Sequence, residues 1–250
     1  MNLIACYLAG NCEKLINLSL KSIYQHVDKI IIVYDTTSRD DTIISLTQWK
    51  SKLGDKLEII PREYEHSYEV KSANSDARNF YLDYLKKNHL DDWCLVLDAD
   101  EVAGDNIKYL KSFLEDQKED TIISPKMIHF IQDLGHEDST QEEHYVPNRL
   151  FKVNEDLFYP TGEHPVLISK DTKKLYFRLP QLIIYHLAYC REMFYIRERY
   201  SNHLNKSEMH TSDFLWNWYH SHLRGQYPKK ELDINTLPQV MKDFFFLNRR

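Results

Sequence analysis

Four short apolar runs, separated by amphipathic stretches, constrain the first 101 residues more than any other feature. The runs are Leu3–Leu8, Lys29–Tyr34, Leu57–Ile60 and Trp93–Leu97. They are short and lack helical periodicity, which is how buried strands read. Ile30-Ile31-Ile32-Val33 is β-branched throughout, as strands favour. Between the runs the spacing predicts helices. Glu13–His26 carries Ile16, Leu20, Ile23 and Val27 on one face, a second helix runs from about Asp40 to Lys50, and a third spans Ala73–Asn88 with Ala73, Ala77, Phe80 or Tyr81, and Tyr84 on one side. Strand and helix alternating over short links is the signature of a parallel sheet with helices on both faces.

The fourth run ends in Asp98-Ala99-Asp100-Glu101, three carboxylates within four positions. A strand that ends this way delivers acids to the carboxyl edge of its sheet, where open α/β folds bind ligands. Two apart on ideal strand geometry, Asp98 and Asp100 would share a face and repel each other unless a cation lies between them. A hard divalent ion with oxygen ligands meets that need. A polar loop after a core strand is the plainer alternative. The second run likewise ends at Asp35, whose carboxylate would emerge at the same edge and could accept a hydrogen bond from a base with an N–H donor. A turn aspartate is the alternative there. Arg78, on the helix before the acidic strand, offers a guanidinium fork for phosphate or carboxylate, or else a solvated helix arginine.

Composition narrows the classes. The 250-residue chain has 42% hydrophobic and 28% charged residues and a formal net charge of -6. These values suit a globular α/β protein and speak against a general nucleic-acid binder, which would be basic. Cys6, Cys12, Cys94 and Cys190 form no Cys-x-x-Cys pair and are expected as free thiols in a reducing, cytoplasmic setting. The N-terminus has no signal-peptide pattern, and no run reaches the roughly 18 apolar residues of a membrane span. Phe244-Phe245-Phe246 near Arg249 and Arg250 leaves either a peripheral membrane contact or a packed helix end.

After Glu101 the pattern changes. A helix is expected over Asn106–Asp116 and a strand over Thr121–Phe130. An acidic loop should span Gln132–His144, with short strands at Arg149–Val153, Pro165–Ser169, Leu175–Arg178 and Leu182–Ala188. Helices are expected at Met193–Leu204, Ser212–Leu223 and Leu237–Phe246. The domain reading is therefore residues 1–190 as one α/β unit, with halves at 1–104 and 105–190, followed by a helical extension (191–250) that offers a surface for a homodimer. Trp216, Trp218 and Tyr219 in that extension read as packing residues or as a platform for stacking a sugar.

Four motifs resemble family 2 glycosyltransferases of the GT-A fold. Val27–Thr42 resembles their second strand, which ends in Asp and continues as Ser-x-Asp-x-Thr. Ala77-Arg78-Asn79 resembles their Ala-Arg-Asn, Leu97–Glu101 their metal-binding Asp-x-Asp, and Asn11–Ile23 their opening Asn-Glu-Glu and first helix, with Cys12 in place of the first Glu. The motifs stand in the family's order and spacing. The resemblance is firm over residues 1–104 and looser to about 190, and it implies a nucleotide-binding half (1–104) and an acceptor-side half (105–190).

It implies a GT-A fold: a mostly parallel central sheet flanked by helices, with a mixed second half and C-terminal helices. It implies that Asp35 contacts the donor's base and that Leu8, Ala9 and Gly10 line the nucleotide pocket. Arg78 would lie near the base or pyrophosphate, Asp98 near the ribose and metal, and Asp100 on Mn²⁺ or Mg²⁺. Further along, Arg149-Leu150-Phe151, Gly162-Glu163-His164-Pro165 and Tyr185-His186-Leu187 resemble the family's Arg-Leu-Phe, Gly-x-His-Glu and late-strand His. Arg149 is then a substrate-binding candidate. Pro165 stands where the family places an acceptor base, which leaves Glu163 or His164 for that role. His186 would complete the metal site or touch the diphosphate.

The implied reaction is metal-dependent, inverting transfer of a hexose or pentose from a nucleotide-diphosphate sugar, with UDP favoured, to a hydroxyl on a glycan, lipid or protein. A sugar-phosphate nucleotidyltransferase is the enzyme alternative. Its Gly-rich, Arg-containing phosphate loop is not found at Leu8–Cys12. A non-catalytic carbohydrate-binding protein of the same fold is the other alternative.

Overall fold

The computed structural model describes residues 1–63, 73–117, 121–131, 133–138, 147–161, 166–171, 173–189, 221, 224, 226 and 229–247. The first half is β1 (Leu3–Ala9), α1 (Glu13–Ile23), β2 (Lys29–Asp35), α2 (Thr42–Leu53), β3 (Leu57–Arg62), α3 (Ala73–Asn88) and β4 (Trp93–Asp98). The order across this part of the sheet is β4-β1-β2-β3, all parallel. Side-chain alternation along these strands feeds two cores, one on each face. Leu3, Ala5, Tyr7, Ile30, Ile32, Leu95 and Leu97 pack with Ile16 and Leu20 of α1 and Leu46 and Trp49 of α2. Ile4, Cys6, Ile31, Val33, Cys94 and Val96 pack with Tyr81, Leu82 and Leu85 of α3. The expected parallel sheet with helices on both faces is therefore present. The buried face of α3 is rotated from the expected one: Ala77, Tyr81, Leu82 and Leu85 are buried, while Phe80 and Tyr84 are only partly so.

The second half is β5 (Glu101–Ala103), a 3₁₀ turn over Asp105–Tyr109, α4 (Leu110–Glu115), β6 (Thr121–Ile131), β7 (Asp133–Asp138), β8 (Leu150–Lys152), β9 (Leu157–Phe158), β10 (Ile168–Ser169), β11 (Leu175–Tyr189), β12 (Lys229–Glu231) and α5 (Gln239–Leu247). The sheet continues past β4 as β8-β6-β7-β12, with β11 alongside β6 and β5. β8 runs antiparallel to both β4 and β6, whereas β11 runs parallel to β6. The α/β architecture, mostly parallel first and mixed later, is the one expected.

Three details differ from expectation. The acidic stretch from Gln132 is not simply a loop. Asp133–Asp138 pairs with β6 on one side and β12 on the other, and backbone pairing on both sides overrides its polar composition. The two strands expected at Leu175–Arg178 and Leu182–Ala188 are one 15-residue strand. Its register against β6 shifts between Leu179 and Ile183, and that irregularity accommodates Pro180. The helix expected at Asn106–Asp116 splits into the 3₁₀ turn and α4.

Cys6, Cys12 and Cys94 are buried, and none of the three is in a disulfide among the described residues. No described helix is long and apolar enough to cross a membrane. Residues 229–247 join the main body: Lys229–Glu231 pairs with β7, and Leu237 and Met241 pack against Leu18, Val102 and Tyr185. The helices expected at Met193–Leu204 and Ser212–Leu223, with Trp216, Trp218, Tyr219 and the homodimer surface, lie outside the described residues, as does Cys190.

Candidate functional site

The carboxyl ends of β1, β2, β3 and β4 form one rim. Chain order reverses at β1, since β2 and β3 add on one side and β4 on the other. A crevice opens at such a switch point. Leu8 is in register with Val33 on one side and with Asp98 on the other, so the Leu8-Ala9-Gly10 segment lies between the ends of β2 and β4.

Gly10 is there because nothing larger fits: a Cβ on it would sit 2.9 Å from the Asp35 Cβ and 3.2 Å from Asp35 Oδ2. Asp35 is buried, and its Oδ1 accepts from the Thr37 amide at 2.9 Å and the Thr37 hydroxyl at 2.8 Å. The next loop ties the rim together. Asn11, at φ 49°, donates its amide to Ser38 Oγ and accepts the Arg39 amide at 2.8 Å. Asp40 accepts the Glu13 amide that opens α1 at 2.9 Å and the Thr42 hydroxyl that opens α2 at 2.6 Å. This one carboxylate serves the N-termini of two helices, where negative charge is favoured. Arg62 ends β3 in register with Asp35 and stacks over the Phe80 ring at 4.3 Å.

At the β4 end, the strand stops at Asp98, two residues short of Asp100. Asp98 closes β4, Ala99 and Asp100 form a turn, and Glu101 opens β5. The two aspartates are thus held by different neighbours. Asp98 accepts two bonds from Arg78 Nη2, at 2.8 and 3.1 Å, and one from Arg149 Nη2 at 2.8 Å. Arg149 also pairs with Glu101, whose other oxygen accepts the Asp98 amide at 2.8 Å.

Arg149 is delivered by its backbone: its carbonyl accepts the Val96 amide at 2.7 Å and its amide donates to Ile123. Asn79, next to Arg78, exchanges two hydrogen bonds with the backbone of Tyr159, at 2.8 and 2.9 Å. The Tyr159 hydroxyl in turn meets Tyr81 at 2.8 Å. The Ala-Arg-Asn segment therefore does two jobs: Arg78 clamps Asp98, and Asn79 anchors the backbone at Tyr159.

Charge follows this wiring. Burial pushes the Asp98 carboxyl up, but Arg149 and Arg78 outweigh it and hold the group well below the ordinary carboxylate range. Burial likewise works against the Arg78 charge, and Asp98 reverses that, so the guanidinium stays firmly protonated. Glu101 is pushed up to about 8 by burial; Arg149 opposes the rise, and Asp98 and Asp100 add to it.

Asp100 faces the other way. Its backbone carbonyl accepts the Leu187 amide at 2.9 Å, which brings it beside His186 of β11. Asp100 Oδ1 lies 3.7 Å from His186 Nε2, and both side chains are largely buried while keeping some exposure. His186 Nδ1 in turn faces Nδ1 of His129 on β6 at 2.8 Å, with the rings edge to face. His129 is buried, which pushes its pKa down to about 3, with His186 and Arg149 adding to the fall and Asp100 opposing it.

Of the residues expected at the site, Leu8, Ala9, Gly10, Asp35, Arg78, Asp98, Asp100, Arg149 and His186 all lie on this rim or on the strands that support it. Glu163 and His164 lie outside the described residues. Three contributors were not anticipated: Arg62, Asn79 as an anchor, and His129. A lone histidine inside the apolar run Met127–Ile131 was the available signal for the last of them.

Among the described residues, no group of three or more His, Cys, Asp and Glu side chains is arranged to hold a metal. Asp98 is engaged on both oxygens by guanidinium groups. Asp100 and His186 present one oxygen and one nitrogen side by side, a donor pair suited to Mn²⁺ and, through the carboxylate, to Mg²⁺. Ions of this kind are commonly bound by one or two protein ligands together with substrate phosphates. The residues present therefore fit such an ion as part of a substrate-completed site.

No protein-family model and no curated protein sequence matches the chain. Among solved structures, it is similar to TarS of S. aureus, at 15% identity and a TM-score of 0.49, covering 90% of this chain and 72% of that one. It is similar to a mannosyltransferase from Pyrobaculum calidifontis in complex with GDP-Man and Mn²⁺, at 13% identity and 0.48, covering 82% and 62%. It is also similar to GalNAc-T7 with UDP, GalNAc and Mn²⁺, at 9% identity and 0.46, covering 91% and 58%. The chain thus spans under two thirds of the last two proteins. With all three scores below 0.5, the functional assignment rests on this chain's own residues.

Proposed function

We propose that this protein is a GT-A glycosyltransferase that moves a sugar from a nucleotide-diphosphate donor, UDP favoured, to a hydroxyl on a glycan, lipid or protein, with inversion at the anomeric carbon. One observation carries this reading. Gly10, Asp35, Arg78 and the Asp98–Asp100 pair come from four separate segments and meet at one switch-point rim, which is the place and the chemistry a nucleotide diphosphate requires.

Asp35, packed under Gly10, accepts from the N–H of the base. Asp98, clamped by Arg78 and Arg149, sets the floor of the crevice and keeps two guanidinium groups near the pyrophosphate. Asp100 and His186 would hold Mn²⁺ or Mg²⁺, which when bound would offset the charge growing on the leaving diphosphate. Glu163 or His164 takes the proton from the acceptor hydroxyl as its oxygen bonds to the anomeric carbon and the bond to the diphosphate breaks.

The test is metal-dependent hydrolysis of a panel of nucleotide sugars without acceptor. Release of a nucleoside diphosphate is expected, falling about 10²-fold in Asp100→Asn. With an acceptor present, Glu163→Gln and His164→Gln separate the two base candidates by which one abolishes transfer while sparing donor binding. Pyrophosphate release from a nucleoside triphosphate and a sugar phosphate would instead establish a nucleotidyltransferase. Absence of both reactions, together with no nucleotide binding, would leave a carbohydrate-binding protein.

A further inference from the structure

Two imidazoles facing each other through Nδ1 at 2.8 Å, one of them buried, is an arrangement the proposed chemistry does not by itself require. Such a contact is attractive only when a single proton lies between the nitrogens. Two protons would clash, and none would set lone pair against lone pair. His129 is enclosed on β6 between β7 and β11, and at 2.8 Å the two nitrogens share one proton at this contact.

The position of that proton decides what the outer nitrogen of His186 can do. With the proton on His129, His186 Nε2 carries hydrogen and turns it toward Asp100. With the proton on His186 Nδ1, Nε2 presents its lone pair beside Asp100 Oδ1, and only this form can bind a cation. His129 Nδ1 is then the acceptor that fixes both the tautomer and the ring orientation. Its place is secured by strand register, because His129 and His186 are direct partners across β6 and β11, and His186 is also paired with Glu101 on β5.

We propose that His129 is a positioning residue for divalent-cation binding: it accepts the His186 Nδ1 proton, so that Nε2 of His186 and the Asp100 carboxylate together receive the ion. This rests on the metal reading given above and extends it one layer inward. Outer partners of this kind change metal affinity by about 10–100-fold when removed.

The experiment measures Mn²⁺ affinity by electron paramagnetic resonance, with the ion alone and with UDP. The proteins are wild type, His186→Ala, His129→Asn and His129→Phe, each checked for cooperative thermal unfolding. Asn places an acceptor oxygen where Nδ1 stood, whereas Phe keeps the ring and removes the acceptor. Expected are weakening of at least tenfold in His129→Phe and affinity within about threefold of wild type in His129→Asn. Equal weakening in both would mean a packing role and overturn the proposal, as would no weakening in either. If His129→Phe does not unfold cooperatively, His129→Leu takes its place under the same criteria. Unchanged affinity in His186→Ala would instead sink the metal reading itself. Nitrogen-15 resonances of the two imidazoles with Mg²⁺ and UDP give a readout free of packing effects: His186 protonated on Nε2 in the bound state would also overturn the proposal.

Discussion

The two halves of the sheet bury their strands by different means. In β1, β2 and β4 nearly every residue is inside, shared between cores on opposite faces, and helices from the same local segment cover both sides. In the second half, β7 and β12 add one edge by antiparallel pairing, and β11 reaches β6 only after a long intervening stretch of chain. At the start of β11, Leu175, Tyr176 and Phe177 are roughly half exposed. The first half is thus a frame, and the second supplies side chains to it: Arg149 between β4 and β6, and His186 and His129 beside Asp100. The rim is framed by strands from one local segment, and it is completed by residues brought from far away in the chain.

The largest expected effect sharpens this contrast in stability. Ile31→Ala removes a side chain that is fully buried between β1 and β3 and should cost about 4 kcal/mol. Tyr176→Ala, at 55% exposure, should cost under about 0.5 kcal/mol. Urea unfolding of the two variants decides it, and equal losses would break the distinction between the halves.

Next in size is the seam. Arg149→Met leaves Glu101 buried without its partner and Asp98 with one guanidinium instead of two. A loss of about 3 kcal/mol is expected. Adding Glu101→Gln should recover part of it, because an amide replaces the buried carboxyl left without its guanidinium partner. A double-mutant cycle showing strictly additive losses would mean that the two residues do not act together.

The smallest effect lies on the outer edge of the frame. Burial raises the Glu58 carboxyl, but its bonds to Lys29, at 2.6 Å, and to Tyr84 outweigh this and hold it below its ordinary 4.5. A lowered carboxyl contributes stability that is complete above the unfolded value and is lost as pH falls through the folded one. Unfolding followed from pH 6 down to pH 3 should therefore show a slightly shallower decline in Lys29→Met than in wild type. An identical decline would show that the pair is solvated and inert.

Asp35, Asp98 and Asp100 were legible as site candidates because each ends or closely follows an apolar run, and strand ends in a parallel sheet converge; Arg78, inside α3, was legible through its Ala-Arg-Asn motif. Asp98 and Asp100 were expected to share one strand face. The chain turns between them instead, so one carboxylate serves arginines and the other stands beside a histidine. Spacing alone does not show where a strand stops. The Asp133–Asp138 strand was hidden for a related reason. Its composition is acidic, and only pairing with β6 and β12 makes it a strand.

The sequence by itself determined the parallel frame, the order of its elements and the acids at its rim, because hydrophobic period and short connections are local properties. Only the tertiary structure decided which charges meet. Arg78 and Arg149 converge on Asp98 from positions 20 and 51 residues away, and His129 and His186 meet from 57 residues apart. Contacts that distant are set by strand register and the handedness of the sheet, which no window of sequence contains.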